Sequence, residues 1–115
     1  MSKNNEPITA ASISREVANW IEQDSNGGGA WSMFTLCTLK NMKLNFDVTM
    51  DYLSCITKEQ FDYVCEAIDE VVYHFQKIEM VTLIEALYVK FYGKDENTVF
   101  YRDNIAGLRH CIKEK

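Results

Sequence analysis

The sequence predicts an α+β fold: an N-terminal helix, an antiparallel β-hairpin, then two or three helices packed on one face of the hairpin. An all-α bundle is the alternative. Three stretches carry the prediction. Residues 12–23 repeat apolar side chains at helical steps, residues 44–52 alternate strictly, and residues 57–78 return to the helical period. The 115 residues suit one domain, 1–115, with residues 1–11 polar and expected to be loose.

Ile13, Val17, Trp20 and Ile21 define the first helix, which Asp24-Ser25-Asn26-Gly27-Gly28-Gly29 stops as a flexible turn or linker. Leu44, Phe46, Val48, Met50 and Tyr52 then alternate with Asn45, Asp47, Thr49 and Asp51, the pattern of a half-buried strand. The preceding AWSMFTLCTLK is rich in β-formers, with a helix as its other reading. Lys40-Asn41-Met42-Lys43 would make the turn between them, Asn41 tolerating a left-handed conformation. Asp47 and Asp51 would face solvent.

The stretch from Thr57 to Ile78 reads as the core helix. Thr57 and Gln60 form a capping box, and Glu59 and Asp62 place negative charge near the positive end of the helix dipole. Phe61, Val64, Cys65, Ile68, Val72 and Phe75 fall on one stripe, with Val71 on its flank. Each large apolar side chain, once buried, contributes roughly 1.5–3 kcal/mol. Val81, Ile84, Leu87, Tyr88 and Phe91 continue as a further helix closed by Gly93. The tail offers Tyr101, Ile105, Leu108 and Ile112 in helical register, with Asn97 or Asp103 as caps, or a short strand over residues 98–102.

The far side of the core helix gathers Glu59, Asp62, Glu66, Asp69 and Glu70, with Tyr63 and Tyr73 among them. Asp62–Glu66 and Glu66–Glu70 are like-charge pairs one turn apart, each costing a few tenths of a kcal/mol. From Leu44 to Gln76 the chain carries seven carboxylates and one lysine, a net −6, so the remainder sums to +1 of the total −5. That imbalance speaks against direct nucleic-acid binding, which needs a basic stripe. It favours a cationic protein partner.

No other chemistry is signalled. Cys37, Cys55, Cys65 and Cys111 show no CxxC or framework spacing and read as reduced thiols. His110-Cys111 is a poor chelate because adjacent helical residues diverge by about 100°, so no metal or cofactor is expected. The carboxylates on a convex face lack the cleft that tunes acid–base pairs, and the chain is read as no enzyme. The sequence has no apolar run of membrane-spanning length and no signal-peptide pattern at its start, which predicts a cytoplasmic protein.

In size, acidity and lack of catalytic motif, the chain resembles the immunity proteins that bacteria pair with nuclease toxins. It is similar in the same respects to phage proteins that mimic nucleic acid to block host defences. The resemblance is one of profile, and no functional position is carried over from it. It implies a small inhibitor that binds a basic, nuclease-like partner directly. Glu59, Asp62, Glu66, Asp69 and Glu70 would supply the field and Tyr63 and Tyr73 the contact anchors, with Asp47 and Asp51 second in rank. A non-catalytic, homo-oligomeric regulatory or structural subunit is the reading from another class.

Overall fold

A computed structural model describes residues 8–25 and 33–113. All regular structure among them is helical: α1 (Ala10–Ser25), α2 (Met33–Met42), α3 (Phe46–Ser54), α4 (Lys58–Val64), α5 (Ile68–Phe75) and α6 (Ile78–Tyr92). A π-helical turn (Tyr101–Ile105) and a 3-10 turn (Leu108–Cys111) follow. The expected α+β architecture is therefore overturned, and the all-helical alternative fits. The chain divides after Cys55 into two compact units.

In the N-terminal unit α1 packs on α2 and α3. Thr9 and Ser12 start α1 by a reciprocal cap, each side-chain oxygen accepting the other's backbone N–H at 3.0 Å. Ile13, Val17 and Trp20 are buried, as their spacing predicts. The stop expected from Asp24 comes later, since Asp24 and Ser25 still belong to α1, and the glycines that follow lie outside the described residues. Asn41, expected in a hairpin turn, instead sits in α2 and donates to both carboxylate oxygens of Glu16 at 2.9 and 2.7 Å. The pair fastens α2 to α1.

The predicted strand Leu44–Tyr52 is helix α3. Asn45 is its N-cap: the side chain accepts the Val48 N–H at 3.0 Å, and Asp47 stands in the first turn. The face turned inward is Thr49, Tyr52 and Leu53, a three- and four-residue spacing, while Leu44 is 63% exposed. Thr49, on the polar side of the expected strand, is fully buried and donates to the Met42 carbonyl at 2.7 Å. That bond offsets the cost of hiding a hydroxyl. The other expected strand is α2, whose inner face is Thr35, Thr38, Leu39 and Met42. In both helices a threonine occupies a core position, and this is what disguised the helical period.

The C-terminal unit opens with the expected cap: Thr57 Oγ1 accepts the Gln60 N–H at 3.2 Å. The single core helix does not form. After Val64 the Glu66 and Ala67 N–H groups bond to carbonyls three residues back, Tyr63 and Val64, and Ala67 leaves the helical path at φ −132, ψ 5. The chain restarts as α5. The turn brings Ala67 inward beside Val64, Cys65 and Ile68, all buried. Helix α5 ends at Gln76, the one described non-glycine residue with positive φ (57°), and α6 ends at Gly93 as its spacing predicts.

Helix α6 packs against both short C-terminal turns, and α5 against the 3-10 turn. The Phe61 ring on α4 lies 5.3 Å from Phe91 and 5.9 Å from Phe100, and Tyr92 stacks on Phe100 at 5.0 Å. The tail is neither a regular helix nor a strand. The Ala106 N–H reaches back five residues to the Tyr101 carbonyl at 2.8 Å, a π-type bond. The cap before it is Thr98, whose hydroxyl accepts the Tyr101 N–H at 3.0 Å, in place of the expected Asn97 or Asp103. Ile105 and Leu108 are buried by this route.

Candidate functional site

The break between α4 and α5 distributes the predicted acidic residues over three local settings. Glu59 and Asp62 stand on α4, Glu66 in the turn, and Asp69 and Glu70 in the first turn of α5. Glu59, Glu66, Asp69 and Glu70 are exposed and Asp62 is half-buried. Asp47 and Asp51 are exposed on α3, in the other unit. Tyr63 is half-buried, whereas Tyr73 is 57% exposed on α5.

Asp62 is engaged within its own unit. The Tyr92 hydroxyl donates to one carboxylate oxygen, and Lys58 Nζ lies 3.4 Å from the other. The same ammonium is 3.2 Å from the Tyr92 oxygen and 4.4 Å from its ring centroid. Lys58 is held above its ordinary pKa, first by the hydrogen bond to Tyr92 and further by the Asp62 charge. Burial first, then the bond to Asp62, raises the Tyr92 phenol, with Lys58 opposing. The network joins α4 to the end of α6, and its ammonium offsets the Asp62 charge.

Glu66 and Asp69 are brought together. They line one recess of about 160 Å³ with Asp103 and Asn104 from the π-helical turn. Cys65, Gly107, Leu108 and Cys111 complete its wall. Asp103 was missed as a site residue, since its sequence position suggested a helix cap. Only the π-type turn carries it to Glu66 and Asp69, and no sequence spacing announces such a turn. Glu70, next in the chain to Asp69, adds a further exposed carboxylate on α5.

The two thiols of this recess are held neutral. Burial pushes the Cys65 thiol far above its ordinary range, and the Asp62 and Glu66 charges push the same way. Cys111 is raised by burial first and by Asp69 second, with Lys113 opposing. A protonated thiol is a poor nucleophile and a poor metal ligand. Among the described residues no three His, Cys, Asp or Glu side chains are grouped to hold a metal ion, and no helix is long and apolar enough to cross a membrane.

The arrangement suits recognition of positive charge. Carboxylates line the recess from two sides, and a carboxylate accepts from an ammonium or guanidinium in charge-assisted bonds, which are the stronger kind. Comparison with protein-family models, with curated proteins and with solved structures gave no match.

Proposed function

We propose that the chain is a small inhibitor of the immunity type, which binds a basic, nuclease-like protein through the carboxylates of its C-terminal unit. The observation that supports this best is the convergence of Glu66, Asp69 and Asp103 on one recess. Glu66, Asp69 and Glu70 dock the partner's basic side chains, and Asp103 completes the recess. Glu59 extends the negative field along α4, and Tyr73 offers an exposed aromatic anchor. Asp62 acts mainly by holding Lys58 and Tyr92 in place. Asp47 and Asp51 add long-range attraction from the N-terminal unit. Compartment follows the partner, which an immunity protein meets in the cytoplasm.

The test is capture of basic proteins by the immobilised chain, compared with a variant carrying Glu66→Lys, Asp69→Lys and Asp103→Lys. All three side chains are solvent-exposed, so the fold is expected to survive the changes, as a helical circular-dichroism spectrum of the variant would check. The wild type is expected to retain a basic protein that the variant releases, and the captured protein loses its nuclease activity when bound. Equal retention by both removes the recess from the binding surface. Capture of a nucleic-acid-binding defence protein without nuclease activity moves the reading to the mimic class.

A further inference from the structure

A second cavity, of about 440 Å³, opens on another part of the C-terminal unit, and the inhibitor reading makes no use of it. It lies between α6, the loop after Gly93 and the 3-10 turn. One wall is apolar: Val89, 43% exposed, and the edge-to-face pair Tyr88 and Tyr101, whose centroids are 5.0 Å apart. Tyr88 is held in place by donating to the Asp95 carbonyl at 2.6 Å, with Thr98 Oγ1 a further 2.7 Å neighbour. The loop is thus fastened to the helix that forms the opposite wall.

The charged groups around this cavity fall into two kinds. Arg109 and Glu85 satisfy each other through two bonds of 2.9 and 2.7 Å, from Nε and Nη2 to the two carboxylate oxygens. Lys94 and Glu96 also line the cavity, yet neither makes an ion pair among the described residues, with the other or with any third group. The Tyr101 hydroxyl likewise makes no hydrogen bond among the described residues. Burial and the neighbouring Glu96 and Glu85 charges keep that phenol protonated, so it remains a donor.

A simple anion entering here would meet Glu96 and Glu85, and a simple cation would meet Lys94 and Arg109. The lining carries two charges of each sign, so neither is favoured by net charge. A ligand with both charges escapes this balance, because its carboxylate can face Lys94 and the Tyr101 hydroxyl while its ammonium faces Glu96. We propose that the cavity binds a free α-amino acid with an apolar side chain, the side chain lying against Val89, Tyr88 and Tyr101. The cavity volume lies in the range of small-molecule sites, which run from about 300 to 1,000 Å³.

The experiment is a titration of the full chain with L-phenylalanine, followed by amide chemical shifts. Saturable shifts are expected at Val89, Lys94, Glu96, Tyr101 and Arg109. N-acetyl-L-phenylalanine lacks the ammonium and L-phenylalaninamide lacks the carboxylate, so each should bind at least about tenfold more weakly. Glu96→Gln and Lys94→Gln, both at exposed positions, should each weaken the parent ligand similarly and leave thermal stability unchanged. The proposal is overturned if phenylalanine, leucine and methionine all give no saturable shift. It is equally overturned if both capped derivatives bind as well as the parent, or if the shifts map to another surface.

Discussion

Gln76 holds a left-handed backbone conformation in which glycine or asparagine is the usual occupant. Its side chain explains why it is there. Nε2 donates to the Tyr73 carbonyl at 2.8 Å and to the Cys111 carbonyl at 2.6 Å, and Oε1 accepts the Lys113 N–H at 2.6 Å. One residue thereby ends α5 and ties down the C-terminal segment. Gln76→Gly relieves strain of about 1 kcal/mol, but it removes three hydrogen bonds contributing roughly 0.5–1.5 kcal/mol each. Urea denaturation should show a net loss of about 0.5–3.5 kcal/mol. A glycine variant as stable as wild type would show that the side-chain bonds contribute no more than the strain they offset. The buried threonines act at the same scale. Thr35, Thr38 and Thr49 occupy core positions that a hydropathy pattern assigns to solvent. A threonine that satisfies its hydroxyl locally is as good a core residue as its methyl allows, and no pattern of apolar letters reveals it.

Among the elements, α1, the Thr57 cap and the Gly93 stop were legible, because periodicity and capping chemistry agreed there. The apolar residues from Phe61 to Val72 are buried as expected, but on two helices and the turn between them instead of one helix. Helix α3 was not legible. Its nine alternating residues match a strand, yet Asn45 is a strong N-cap and Asp47 a favourable first-turn residue. Those two local signals outweigh the alternation once Thr49 can face inward. Asn45→Ala should therefore cost about 1 kcal/mol of stability. A change within error on chemical denaturation would mean that the cap does not govern this segment. The break at Ala67 had no sequence signal: it contains no glycine or proline, and Ala67 makes no side-chain cap. That break decides the candidate site. On one straight helix the five carboxylates would share a face, whereas the turn sets Glu66 and Asp69 beside Asp103 and leaves Asp62 to Lys58 and Tyr92. The charge excess could be read from sequence. The recess could not, since it depends on a turn and a π-type bond.

For the molecule as a whole, the net charge of −5 arises from one contiguous third of the chain, shared between the end of the N-terminal unit and the start of the C-terminal one. Such a field acts on the rate of encounter more than on the strength of the final contacts. The measurement that tests the inhibitor reading most directly is the association rate with the captured basic partner, followed as ionic strength is raised, for wild type and for Glu66→Lys/Asp69→Lys/Asp103→Lys. The wild-type rate should start high and fall at least about tenfold as salt screens the field. The variant should associate slowly at every salt concentration, with a nearly flat profile. Indistinguishable rates and slopes for the two proteins would contradict the claim that these carboxylates guide a cationic partner.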